Sequence, residues 1–177
     1  MIKIILKTAN PIAIIIMSII AIALQTSIFK FYPLNYLQPD MVLLVIIWCS
    51  LNRNFTEGGI LALILANITE LHSAAPQGVF LIAYMSLYLT VRALSYWLVI
   101  KDLTAMVLLT LGASIFWKGI CLLTVYLLGF GQNLWRHSLV LLLPGAIMAG
   151  VLSIWIYRFL IWFDKITYTD NKTKNIL

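Results

Sequence analysis

The sequence predicts an all-α integral membrane protein with six transmembrane helices, and three observations carry that expectation. Of its 177 residues 63% are hydrophobic and 10% charged, at a mean hydropathy of +1.01, whereas soluble domains carry roughly 25% charged residues. Apolar runs recur along the whole chain, divided by short polar breaks. The lysines and arginines stand singly at those breaks, which is the pattern of topology signals and not of a phosphate-binding surface. The net charge of +6 and pI near 9.4 therefore do not point to nucleic acid.

A membrane-crossing helix needs about 20 mostly apolar residues. Residues 10–29 meet this between Lys7 and Lys30. Ala21-Ile22-Ala23 mimics a signal-peptidase site, but the apolar character continues through Leu24 and Ile28 to Phe31, so a retained first helix is expected. Residues 30–38 hold Pro33 and Asn35 and read as a connector.

The second helix, 36–51, and the third, 57–71, are short for crossings and meet at the polar turn Asn52-Arg53-Asn54. They read either as thin, tilted spans or as a re-entrant hairpin, which is tolerated only where protein surrounds it. Pro39 and Asp40 open the second helix, where proline is tolerated and a carboxylate meets free N–H groups. Thr56 is the expected N-cap of the third, with Glu57 at the positive end of its dipole.

The fourth helix, 78–100, is full-length and interrupted by Arg92, which is expected to snorkel to the interface. After the turn Lys101-Asp102 the fifth, 103–130, carries Lys118 near its middle, and Gly129, Gly131, Gln132 and Asn133 end it. Trp135-Arg136-His137 forms an interfacial patch before the last helix, 138–163, whose Pro144, Gly145 and Gly150 favour a kink or close helix contact. Residues 1–163 thus read as one membrane domain and 164–177 as a polar cytoplasmic tail. The six tryptophans and eight tyrosines fall mostly where interfacial belts would lie.

With six crossings and the N-terminus inside, nine lysines and arginines fall on the cytoplasmic side and two, Lys30 and Arg136, outside, with Lys118 inside a span. That asymmetry favours both termini in the cytoplasm and Glu70 to Gly78 on the outer side.

Catalytic chemistry is poorly supplied. His72 and His137 lie far apart, there is no glycine-rich phosphate loop, and Cys49 and Cys121 sit inside apolar runs as small hydrophobes. Ser73 beside His72 hints at a hydrolase but lacks a third group. No catalytic residue, metal or cofactor is expected. The ionisable residues within apolar runs point to function instead, since a charge at a helix centre costs about 2.5–3.5 kcal/mol and tends to face protein or water. Lys118 is the deepest; it snorkels along the Trp117 to Tyr126 surface, pairs with a carboxylate inside the bundle, or meets a ligand. Glu70 ends its helix, where the dipole disfavours a negative charge. It needs a partner, either N–H groups of the Ser73 to Gly78 turn or a lysine on another helix.

The run Gln38-Pro39-Asp40-Met41-Val42-Leu43-Leu44 and the series Gly59, Glu70, Ser73, Pro76, Gly78 resemble the bacterial rod shape-determining protein MreD family. In that family the third helix ends in a pattern close to G…D-x-x-S-x-x-P-x-G. The match covers helices two to four by motif and the rest by length and topology. Glu70 departs from the family's aspartate by one methylene, and His72 and Gln77 are unusual within the motif. The resemblance implies a non-enzymatic scaffold in the bacterial inner membrane, part of the cell-elongation machinery that supports peptidoglycan synthesis. Its implied partners are MreC, with MreB, RodA and its transpeptidase partner in a larger complex. The implied fold is similar to the substrate-binding subunits of energy-coupling-factor vitamin transporters, six helices with a concave outer face. An alternative is therefore a small-molecule binding subunit of a transporter, using a pocket around Asp40 and Glu70.

Overall fold

A computed structural model describes residues 2–28, 38–73, 75–97, 103–129 and 134–167, with backbone alone for 2–9, 103 and 134–143. The described residues form six helices and no strand: α1 (Ile2–Ile28), α2 (Met41–Asn52), α3 (Phe55–Leu71), α4 (Val79–Ser95), α5 (Leu103–Leu127) and α6 (Leu134–Thr167).

The organising element is α2. Its sequence, MVLLVIIWCSLN, is apolar on every side, and Val42 through Ser50 are buried without a break. A helix that is hydrophobic all round requires cover all round, and α2 touches each of the other five. Those five close a ring about it, α1 against α3, α3 against α4, α4 against α5, α5 against α6, and α6 back to α1. At about 1.5 Å per residue α2 is about 18 Å long, well short of a hydrocarbon core about 30 Å thick. Its apolar character is satisfied by protein.

The ring helices are apolar on both faces. On α3 the inward stripe is Gly58, Leu61, Ala62, Leu65 and Ala66, at helical spacing, while Ile60 on the other side is 61% exposed. On α4, Val79, Ala83, Tyr84, Leu87, Tyr88 and Val91 face inward and Ile82 and Leu89 outward. Ile12, Ile16 and Ile20 on α1 and Val151, Trp155 and Phe159 on α6 are likewise exposed. An exterior this apolar suits lipid as the surrounding medium. Among the described residues, Asn10–Ile28, Thr104–Leu127 and Pro144–Thr167 are long and apolar enough to cross a membrane.

Gly58 fixes the closeness of α2 and α3. A Cβ there would lie 3.0 Å from the carbonyl oxygen of Cys49 and 3.0 Å from the hydroxyl of Tyr88, so a side chain would push the two helices apart.

Several boundaries differ from those the sequence predicts. Gln38 to Asp40 are not helical and α2 starts at Met41, because Asp40 serves as its cap. The N-cap of α3 is Asn54 and not Thr56, which lies within the first turn; the Asn54 carbonyl takes the N–H of Gly58 at 2.8 Å. Pro144 is accommodated inside α6, which continues past Phe163 to Thr167. Residues 164–167 are therefore helix and not tail. Residues 30–37 of the expected connector, the Lys101-Asp102 turn, residues 131–133 and the tail from 168 lie outside the described residues, as do the side chains of Trp135-Arg136-His137.

Candidate functional site

At one end of the bundle, acceptor side chains close the starts of two helices. Asp40 has extended backbone (φ −93°, ψ 99°) and its Oδ1 accepts the N–H of Leu43 at 3.1 Å, as an N-cap does. Its Oδ2 accepts the hydroxyl of Tyr84 on α4 at 2.5 Å. The next free N–H, that of Met41, goes to Oε1 of Gln25 on α1 at 3.2 Å. Side chains from α1 and the connector thus serve the start of α2, and α4 is tied in through Tyr84. Pro39, which supplies no N–H, is buried just ahead of the cap.

Glu70 does the same for α4. The N-cap of that helix is Gly78, whose φ of +92° suits glycine and which brings no capping side chain. Instead Glu70 Oε1 accepts the N–H of Gly78 and Oε2 accepts that of Leu81 at 3.0 Å. The carboxylate stands at the unfavourable end of its own helix and at the favourable end of the next.

The rest of the motif shapes the link between them. Ser73 Oγ accepts the N–H of Ala75 at 3.0 Å, the Pro76 carbonyl accepts that of Val79 at 3.4 Å, and His72 Nδ1 lies 2.9 Å from the carbonyl of Ile68. His72 and Ser73 are thus each engaged with nearby backbone, not with each other. Gly59 belongs to the motif by sequence, but an added Cβ there would meet Tyr88 at an ordinary 3.5 Å. The close helix approach belongs to Gly58.

Between these helix ends lies a cavity of about 340 Å³. Asp40, Val42, Tyr84 and Trp117 line it, with Gln25, Thr26, Gln38, Thr69, His72, Ser73 and Lys118 as further polar lining. Phe80, Tyr84 and Trp117 form a continuous aromatic wall, with ring centroids 6.0 Å (Phe80 to Tyr84), 5.4 Å (Tyr84 to Trp117) and 5.8 Å (Phe80 to Trp117) apart. Lys118 Nζ sits 5.7 Å from the Trp117 ring centroid, within cation–π range. A larger groove of about 510 Å³ between α4 and α5, lined by Leu87, Leu94, Leu108 and Phe116 among others, is almost wholly apolar and offers little to orient a polar ligand.

The opposite end holds a cluster that joins Arg53 of the polar turn to Asp164 of the expected tail. Arg53 is only 3% exposed. Its Nη2 meets Asp164 Oδ1 at 2.5 Å and Asn10 Oδ1 at 2.5 Å, and its Nη1 meets Glu57 Oε1 at 3.1 Å. The guanidinium lies 5.2 Å from the centroid of Trp48. Asn10 Nδ2 also donates to Asp164 and to Thr167 Oγ1. Arg92, expected to snorkel, instead gives Nη1 to the carbonyls of Ser50 at 2.8 Å and Arg53 at 3.0 Å, closing the last turn of α2. The available signal was positional: Asn10, Arg53, Glu57, Arg92 and Asp164 all fall at the same-side ends of successive antiparallel runs.

Comparison of the chain with protein-family models, with curated proteins and with solved structures gave no match.

Proposed function

We propose that the chain is a non-enzymatic membrane scaffold of the bacterial rod-shape machinery, of the MreD kind, working in the inner membrane with both termini in the cytoplasm. In this reading MreC is the direct partner, and MreB, RodA and its transpeptidase partner belong to the larger complex. The observation that carries it is the convergence of the motif residues. Asp40, some thirty residues ahead of the link that holds Glu70, Ser73, Pro76 and Gly78, sets the start of α2 while that link sets the start of α4, and Asp40 and Ser73 line the same cavity. The most specific residues of the chain build a shaped surface, and the apolar exterior of the ring suits packing against partner helices.

The proposed topology is six helices with the Asp40 end outward and α2 as the buried sixth, similar to energy-coupling-factor substrate-binding subunits. MreC would dock its membrane-proximal part at that end. Depletion in a rod-shaped host is expected to round the cells. Co-purification of MreC with an Asp40→Ala, Glu70→Ala double variant, at unchanged membrane level, should fall sharply; full recovery of MreC rules out docking there.

A second reading, a small-molecule binding subunit of a vitamin transporter, draws on the cavity of about 340 Å³, within the usual size range of ligand pockets. Native mass spectrometry should then detect a vitamin-sized ligand on the purified chain, and depleted cells should keep their rod shape but lose vitamin uptake.

A further inference from the structure

The polar cavity at the Asp40 end is biased toward one kind of occupant. Lys118 lines it from α5 and, among the described residues, its ammonium makes no ion pair. Asp40, on the same cavity, has Oδ1 committed to Leu43 N–H and Oδ2 to the Tyr84 hydroxyl. The carboxylate is thus engaged with the start of α2 and with α4. The start of α2, against this cavity, is the positive end of the central helix dipole.

Two neutral groups, Gln25 and Trp117, lean the same way. Gln25 spends its carbonyl oxygen on Met41 N–H, which leaves its amide N–H groups as donors. Trp117 carries a buried indole N–H that meets no acceptor among the described residues. Thr26 and Thr69 add no donor to the cavity, since their hydroxyl protons go to carbonyls of their own helices. Beside these groups stands the aromatic wall of Phe80, Tyr84 and Trp117 with Ile22 and Val42.

We infer that this cavity binds an anionic amphiphile, its carboxylate or phosphate head held by Lys118 and its apolar body against the Phe80–Trp117 wall. The Asp40 carboxylate shares the cavity with Lys118 and acts on it electrostatically but forms no salt bridge with it, so an anionic head can give the ammonium a direct charge-assisted partner. The inference concerns the cavity alone and stands whether the chain serves as scaffold or as transporter subunit. The head can come from a membrane lipid or from a free small anion.

Equilibrium binding to the purified full chain in a non-ionic detergent tests it, with laurate and dodecyl phosphate as probes and dodecanol as the neutral control. Saturable binding of both anions is expected, and Lys118→Met should weaken it by about tenfold or more, the loss of one charge-assisted contact, while Lys118→Arg stays within about threefold. Dodecanol should not distinguish wild type from Lys118→Met. Thr26→Trp, at an exposed position on the cavity lining, leaves Lys118 in place and should also block both anions, which guards against a misfolded Lys118 variant. Competition by inorganic phosphate supports the inference with a free anion as the source; failure to compete, with dodecyl phosphate still bound, supports it with a lipid head as the source. Absence of saturable binding to wild type overturns it, as does equal binding by folded Lys118→Met. Recovery of MreC is measured separately, so failure of the scaffold reading leaves this result intact.

Discussion

The carboxylate of Glu70 closes the start of α4, accepting the N–H groups of Gly78 and Leu81 across the link from α3. A residue at the end of one helix thereby completes the next, and the pair α3–α4 is set by a side chain instead of by a local cap. Glu70→Ala is expected to cost about 1–2 kcal/mol, the range for losing a strong N-cap. Glu70→Gln, which keeps an acceptor but not the charge, should cost less. Thermal unfolding in detergent reads both, and an unchanged midpoint for Glu70→Ala would remove the capping role.

The Arg53–Asp164 pair joins the end of α2 to the end of α6, and Arg53 is almost wholly buried. Arg53→Met leaves Asp164 without its cation, and breaking such a pair one partner at a time costs about 3–5 kcal/mol. The double variant Arg53→Met, Asp164→Leu should recover a large part of that loss. Denaturant unfolding or limited proteolysis across this two-by-two set measures the coupling; strictly additive losses would mean that the pair contributes nothing specific.

The neighbouring glycines of α3 should behave differently. Gly58→Ala forces Cβ against the Cys49 carbonyl and the Tyr88 hydroxyl and is expected to cost about 1–3 kcal/mol, as overpacking does. Gly59→Ala meets ordinary contact and should be neutral or gain up to about 1 kcal/mol from helix propensity. Equal effects at the two positions would contradict the close approach of α2 and α3.

Ser73 and His72 are each engaged with nearby backbone. A fluorophosphonate probe is therefore expected to leave Ser73 unlabelled, and Ser73→Ala to lose about 0.5–1.5 kcal/mol of stability, the net worth of one hydrogen bond. Covalent labelling that disappears in Ser73→Ala would revive a hydrolase.

What the sequence determined by itself is local. Helix identity follows from long apolar runs, and the polar breaks at Asn52-Arg53-Asn54 and Ser73 to Gly78 mark where those runs end, because turn residues and missing apolar periodicity act within a few residues. Glu70 stood out for the same reason, since a carboxylate at a helix end conflicts with the dipole of its own helix. Its second partner, Leu81, is eleven residues away, and no local rule reaches that far.

Tertiary structure alone decided which apolar helix is the core. The run at 41–52 and the longer runs look alike in composition, but only assembly encloses α2 in a ring and leaves the others facing outward. It also carried α6 beyond Phe163. Asp164 reads as the start of a polar tail until folding sets Arg53 and Asn10 beside it; a buried charge is stable only with its partner in place, and the partner lies 111 residues away.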